Sequence, residues 1–341
     1  MKQFAIRTPL RYAINTALIV AFLVVGSIIT EGGFLARAQN VMIIEVGLFI
    51  ILAVSLNLMA GYLGQLPLGH AGFMAVGAYV GAIFWRSGIL PSGMSMVGGL
   101  LLAGVVAAIF GIIIGIPALR LRGDYLAIIT LGFSEIIRVV INNIPSVTGG
   151  AQGLQQIPGY SSFLVVFICV VVCCVVIHTL MKSRHGRAIL SIRENEIAAE
   201  SCGVNTTYYK VMAFAISAFF AGVAGALYAG HVRVLVPANF NFMMSINILM
   251  LVVLGGMGSM VGSVLGAVVL TSLPLIMVDL AQYRMIIYAL LLIIVMIFKP
   301  SGLLGTYDFS LSRILEKIIS AIKTTTGKGK KDRVEGGDEH A

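Results

Sequence analysis

Long apolar stretches alternate with short polar punctuation along most of the chain. The runs cover roughly 13–29, 41–60, 66–86, 96–118, 125–142, 161–181, 211–231, 246–256, 260–278 and 283–299. Most approach the ~20 residues that cross a ~30 Å hydrocarbon layer at about 1.5 Å per residue. The pattern predicts an all-α, polytopic helical bundle. The first run follows Lys2, Arg7 and Arg11 and resembles a signal peptide, with Ala36-Arg37-Ala38 imitating a cleavage site. It is too long for an ordinary signal core, so it reads as the first span.

Composition sharpens this reading. Of 341 residues, 59% are hydrophobic and 11% charged, with a mean hydropathy of +1.01. A soluble chain carries about 25% charged residues, so soluble and disordered classes are excluded. The length leaves no room for a large soluble domain. The net charge of +9 marks loops that face anionic lipid on the cytoplasmic side and not nucleic acid.

Charge also orients the spans. The N-terminus, Arg120-Leu121-Arg122, the stretch 182–210 and the tail 299–333 hold 18 of the 23 Lys and Arg. All four, and therefore both termini, are expected on the cytoplasmic side of a bacterial inner membrane. The region 211–299 must then cross an even number of times. Four crossings, with a turn at Gly255-Gly256-Met257-Gly258, give about ten transmembrane helices; nine plus a re-entrant segment is the alternative. The transmembrane domain is 1–305. Beyond it, 309–323 forms an interfacial helix with Leu311, Ile314, Leu315, Ile318, Ile319 and Ile322 on one face, and 327–341 is a flexible polar tail.

Glycine numbers 39, often at spacing four, as in Gly77/Gly81, Gly111/Gly115 and Gly258/Gly262/Gly266. Small residues let membrane helices approach closely. Ser55-Leu56-Asn57-Leu58 before Gly61 and Gly64 weakly resembles Ser245-Ile246-Asn247-Ile248 before Gly255 and Gly258. Interrupted helices at matching places in two halves are a transporter feature.

Enzyme chemistry has no foothold. Gly327-Lys328-Gly329-Lys330 lacks the upstream glycine and the Ser/Thr of a phosphate loop. There is no HExxH, GxSxG or paired CxxC, and the cysteines at 169, 173, 174 and 202 have no metal-ligand spacing. No catalytic residue, metal site or cofactor is expected. Asn205-Thr206-Thr207 matches a glycosylation sequon but falls on a cytoplasmic loop.

The long polar connection 182–210 stands apart. Residues 193–202 read as a short helix with Ala198 and Ala199 inside it, Gly203 as its C-cap, and Glu194, Glu196 and Glu200 as an acidic face. Such a helix suits docking into a groove on another protein. Glu196-Ile197-Ala198-Ala199-Glu200-Ser201-Cys202-Gly203 resembles the coupling loop of ABC importer permeases, with the acidic residue one place early. The blocks LNLMAGYLGQLPLGHAGFMAVGAY (56–79), LRLRGDYLAIITLGFSEIIRVV (119–140), TGGAQGL (148–154), RENEIAAESCGVN (193–205), AFFAGVAGALYA (218–229) and VVLGGMGSMVGSVLGA (252–267) together resemble LivM-type permeases of branched-chain amino acid importers.

That resemblance implies the ABC importer permease fold. It also implies a LivH-like partner permease, two ABC ATPase subunits that hydrolyse the ATP, and a periplasmic amino-acid-binding protein that delivers leucine, isoleucine or valine. It makes 193–205 the element that receives the ATPase motion, with Arg193, Glu194, Glu196, Ala198, Ala199, Glu200 and Gly203 as its candidates. Glu194 and Glu196 are expected to meet basic residues of the ATPase.

For the pathway, Asn57, Gln65 and His70 flank the glycine-rich break, and Tyr79, Tyr125 and Thr130 are further candidates. A zwitterion needs donors for its carboxylate and acceptors for its ammonium, which broken helix ends supply. Glu135 and Arg138, three apart on one helix, are expected to form a structural intramembrane pair. Two rival functions stand: the same architecture carrying urea or a short amide, and an ion-coupled transporter using Glu45, Glu135 and Asp279. The coupling-like loop speaks against the second.

Overall fold

A computed structural model describes residues 37–276 apart from positions 90, 120 and 122, and isolated positions at 23, 26–28, 30, 283, 286, 290, 293–294, 297–298 and 302. The chain divides into two units, and nearly all of these residues belong to the one spanning Gly32–Tyr307. Most of the expected first span, Arg120 and Arg122, most of the last span, Asp279, the interfacial helix and the tail lie outside the described residues.

The apolar runs fold as helices: α1 (Arg37–Asn57), α2 (His70–Ser87), α3 (Ser92–Ala118), α4 (Asp124–Asn142), the single turn α5 (Pro145–Thr148), α6 (Phe163–Lys182), α7 (Arg184–Glu194), α8 (Glu196–Ser201), α9 (Thr206–Val232), α10 (Phe242–Gly255) and α11 (Met260–Ile276). Asn and Ser side chains start several of them. Ser183, Asn195, Asn205 and Asn241 accept hydrogen bonds from first-turn amides of α7, α8, α9 and α10, which satisfies donors that would otherwise be orphaned.

Five helical stretches among the described residues are long and apolar enough to cross a membrane: Ala38–Tyr62, Gly93–Ala118, Tyr125–Asn142, Phe163–Lys182 and Thr206–Val232. The protein is therefore a multi-pass membrane chain. Helix α2 is not among these five, α10 is shorter at 14 residues, and α11 is described over 17 residues, up to where the described segment stops. At ~1.5 Å per residue the 14 residues of α10 do not reach across a ~30 Å core unless the bilayer thins around them.

At the centre α2, α3 and α9 pack against one another, with α1 beside α9 and the α10–α11 hairpin against α1. Apolar side chains gain little from facing each other when the alternative is lipid, so close backbone approach must hold these helices together. Gly77 lies against the backbone of Gly222, and Gly225 against that of Met74, so a β-carbon at either would collide with the facing helix. Gly255, Gly262 and Gly266 do the same inside the α10–α11 hairpin.

Loops that the charge reading assigns to one side meet one another. Leu154 pairs with Leu235 in an isolated antiparallel bridge, Trp85 Nε1 donates to the Ser95 carbonyl at 2.9 Å, and Trp85 packs edge-on to Tyr160. At the opposite ends of the helices, the segments after α1, between α6 and α9, and between α10 and α11 converge.

Candidate interrupted-helix site and coupling segment

Helix α1 does not stop cleanly. It widens into a π-turn over Leu58–Tyr62, whose looser i→i+5 bonds include Leu63 N to the Leu58 carbonyl at 3.2 Å. Single π-turns inside helices concentrate at functional sites. Residues 63–69 then run back beside α1, with Gly64 at φ +75°. Helix α2 starts level with Ser55, since His70 Nε2 lies 2.9 Å from Ser55 Oγ.

A second interruption, Gly256–Ser259 between α10 and α11, sits directly against the first. Asn57 joins them. Its Nδ2 donates to the Ser259 carbonyl at 3.1 Å, and its Oδ1 accepts from Gly258 N at 2.9 Å. The side-chain amide thus pairs with the turn as a peptide group of an adjacent strand would. Asn57 is fully buried, and no apolar residue can satisfy both groups. Gly61 has no room for a side chain, because Asn57 Oδ1 and Gly258 N stand where its β-carbon would be.

A buried seam of hydroxyls continues inward. Ser217 Oγ donates to the Ser55 carbonyl at 2.7 Å, and Ala71 N donates to Ser245 Oγ at 3.2 Å. Ser259 Oγ accepts from Gly262 N at 3.1 Å and starts α11. Polar groups at this depth are costly unless paired or facing water. The weak sequence match between the two segments does not survive as equivalent positions: Asn57 ends α1, whereas Asn247 lies inside α10. What pairs is the two interruptions themselves.

The pathway candidates divide. Asn57 and His70 line the seam. Gln65 lies in the return segment, and its Oε1 is buried without a partner among the described residues. Thr130 holds the same segment, its Oγ1 accepting from Leu68 N at 3.0 Å. Tyr79 sits deeper in α2, its hydroxyl donating to the Leu235 carbonyl at 3.2 Å at the other end. Tyr125 is 71% exposed at the start of α4. Glu135 Oε2 lies 2.7 Å from Arg138 Nη2 on α4. Ser55, Ser217, Ser245 and Ser259 escape a sequence reading, because serine in an apolar run is also a common packing residue.

The polar connection differs from the single helix expected over 193–202. Asn195 takes extended angles (φ −161°, ψ 111°) and separates α7 from α8. An asparagine with a free cap position competes well with helix continuation, since its side chain can bond the backbone ahead. Here it accepts from Ala198 N at 3.0 Å. Helix α8 ends as expected at Gly203, φ +82°, with Gly203 N on the Glu200 carbonyl at 2.9 Å and Val204 N on that of Ala199 at 3.0 Å. This is the left-handed cap that glycine favours.

The acidic side chains have partners inside the chain. Glu196 pairs with Lys210 at 2.6 Å, with the Lys210 side chain only 3% exposed. Glu200 Oε1 accepts from Thr206 Oγ1 at 2.6 Å. Glu194, 72% exposed, pairs with Arg193. Ala199 is buried, while Ala198 and Ile197 are exposed, Ile197 to 64%. The outward surface of α8 is therefore Ile197 and Ala198 flanked by Glu194, not a row of three free carboxylates. Arg193 turns inward, its Nη1 donating to the Gly61 carbonyl at 3.1 Å.

Comparison with known proteins agrees with this architecture. The family described as branched-chain amino acid transport system / permease component matches residues 41–298. The high-affinity branched-chain amino acid transport system permease protein LivM of Salmonella typhimurium is 39% identical over 299 residues, covering 75% of this chain and 68% of that protein. LivM of Escherichia coli is 38% identical over the same shares. The corresponding permease protein LivH of Salmonella typhimurium is 26% identical over 284 residues, 75% of this chain and 91% of that protein. No solved structure matches. The matched region contains both interruptions and the whole polar connection, and on this evidence the chain belongs to the permease component family of branched-chain amino acid transport systems.

Proposed function

We propose that this chain is one of two membrane subunits of an ATP-driven importer for leucine, isoleucine and valine. The 39% identity to a LivM permease across 299 residues carries the reading. A LivH-like chain, of the kind that is itself similar to this sequence, is its partner. Two ATPase subunits and a periplasmic amino-acid-binding protein complete the complex, and the chain itself hydrolyses nothing.

The segment 182–210 faces the ATPases. Ile197 and Ala198 supply an apolar ridge for a groove, and Glu194 supplies a charge at its edge, while Ala199, Glu196, Glu200 and Gly203 hold α8 in shape. The substrate passes near the interruptions. Asn57, Gln65 and His70 lie there, and Thr130 keeps the return segment in place. Broken helix ends present amides and carbonyls together, which a zwitterion needs and a neutral amide uses less fully.

The test is uptake of labelled leucine, valine and urea by cells with and without this gene, in parallel with ATP depletion. The expected result is loss of leucine and valine uptake on deletion and on depletion. Loss of urea uptake alone overturns the cargo and keeps the architecture. Gene-dependent uptake that survives depletion and collapses with the ion gradient overturns the ATP-driven reading.

A further inference from the structure

We infer that Arg193 is the positioning residue that ties the coupling segment to both helix interruptions, so that motion of α7 and α8 is delivered to the backbone at Gly61 and Gly258. The inference rests on the importer reading above and adds the route by which the push enters the bundle.

The geometry of one guanidinium supports it. Arg193 Nη1 donates to the Gly61 carbonyl, 132 residues away in sequence, at 3.1 Å. That carbonyl sits in the π-turn. The same nitrogen lies against Gly258, where a β-carbon would stand 3.2 Å from it. The aliphatic stem covers Gly64, whose β-carbon would come within 2.8 Å of Arg193 Cγ. On the outer side, Nε and Nη2 grip Glu194 Oε1 at 3.2 and 2.8 Å. A planar fork with five donors can hold both directions at once, which a lysine ammonium cannot do with fixed geometry.

What Arg193 grips is a linked unit. Asn57 bonds the turn at Gly258 and Ser259, and Gly302 packs on the backbone of Gly256. A displacement at Gly61 is therefore shared with α1, α10 and α11. Helix interruptions are also where backbone can rearrange without breaking a continuous ladder of hydrogen bonds. On the loop side, Ile189 and Ile192 are buried, so α7 moves as a packed body, and the extended Asn195 separates it from the exposed α8. Gly64 (φ +75°) and Gly258 (φ +82°) are held to glycine twice over, by their left-handed backbone and by the arginine that occupies the space beside them.

The experiment uses the complete complex, with its partner permease, ATPases and binding protein, in proteoliposomes. Leucine imported per ATP hydrolysed is measured for wild type, Arg193→Ala and Arg193→Lys, together with the amount of assembled complex. Arg193→Ala is expected to assemble and to hydrolyse ATP, with weaker stimulation by loaded binding protein, because that signal crosses the same contact. Its leucine-to-ATP ratio should fall about tenfold, the order of a typical coupling free energy between sites. Arg193→Lys should recover part of that ratio. A purely structural role would lower complex amount and hydrolysis together and leave the ratio unchanged, and that outcome overturns the proposal. Wild-type complex that imports no leucine with ATP would overturn the importer reading itself.

Discussion

Lys210 and Glu196 show how one residue pair fixes the polar connection 182–210. The Lys210 side chain is almost fully buried at the start of α9, and Glu196 reaches it across 14 residues at 2.6 Å. Removing one member of a buried pair leaves an uncompensated charge and costs about 3–5 kcal/mol. Glu196→Gln is therefore expected to lower the unfolding temperature of the purified protein clearly. Glu196→Leu combined with Lys210→Met should recover most of the loss, because an apolar pair of similar volume avoids desolvation altogether. If the double variant is as unstable as the single, the pair is not the support described here. The carboxylates were legible as a cluster in the sequence, but their partners were not. Lys210 and Thr206 lie on the next helix, and only folding decides that they take up Glu196 and Glu200 before any other protein can.

At the scale of the element, α8 depends on its two ends. Asn195 begins it and Gly203 ends it, at φ +82° with open space where a side chain would project. The obstacle to substitution there is conformational rather than steric. Asparagine visits the left-handed region at modest cost, whereas β-branched residues do so poorly. Gly203→Asn should transport close to wild type, and Gly203→Val should lose most transport at unchanged membrane level. Gly203→Asp has an acceptable backbone and places a negative charge beside the face of α8 proposed to dock, so it should abolish uptake while inserting normally. Uptake by cells normalised to membrane content separates these results, and normal uptake with Gly203→Asp would remove this face from the coupling surface. The cap glycine was legible in the sequence because a left-handed cap leaves a local signature. The break at Asn195 was not, because alanine-rich neighbours make a continuous helix look equally good until the cap competes with it.

Across the whole molecule, stability rests on a few places where backbones touch. Gly77 and Gly222 meet at the α2–α9 crossing, whereas Gly132 on α4 has nothing within 4 Å of a β-carbon. Gly77→Ala should cost about 1–3 kcal/mol as an overpacked contact and lower the yield of folded protein in membranes. Gly132→Ala should be neutral in the same measurement, and equal loss for both would argue against this packing. A spacing-four pattern of glycines predicts close approach somewhere, but it cannot say which glycine is used.

The apolar runs, the glycine cap at Gly203, the membrane class and the unusual character of 182–210 follow from the sequence alone. These are local properties: a run is apolar or it is not, and a cap acts within one turn. The joining of Asn57 to Gly258 and Ser259, and of Arg193 to Gly61, was decided only by the tertiary structure. Each links residues more than a hundred positions apart. No local pattern marks which polar side chain will satisfy a distant interrupted helix, because that pairing exists only once the helices have packed closely enough to exclude other partners.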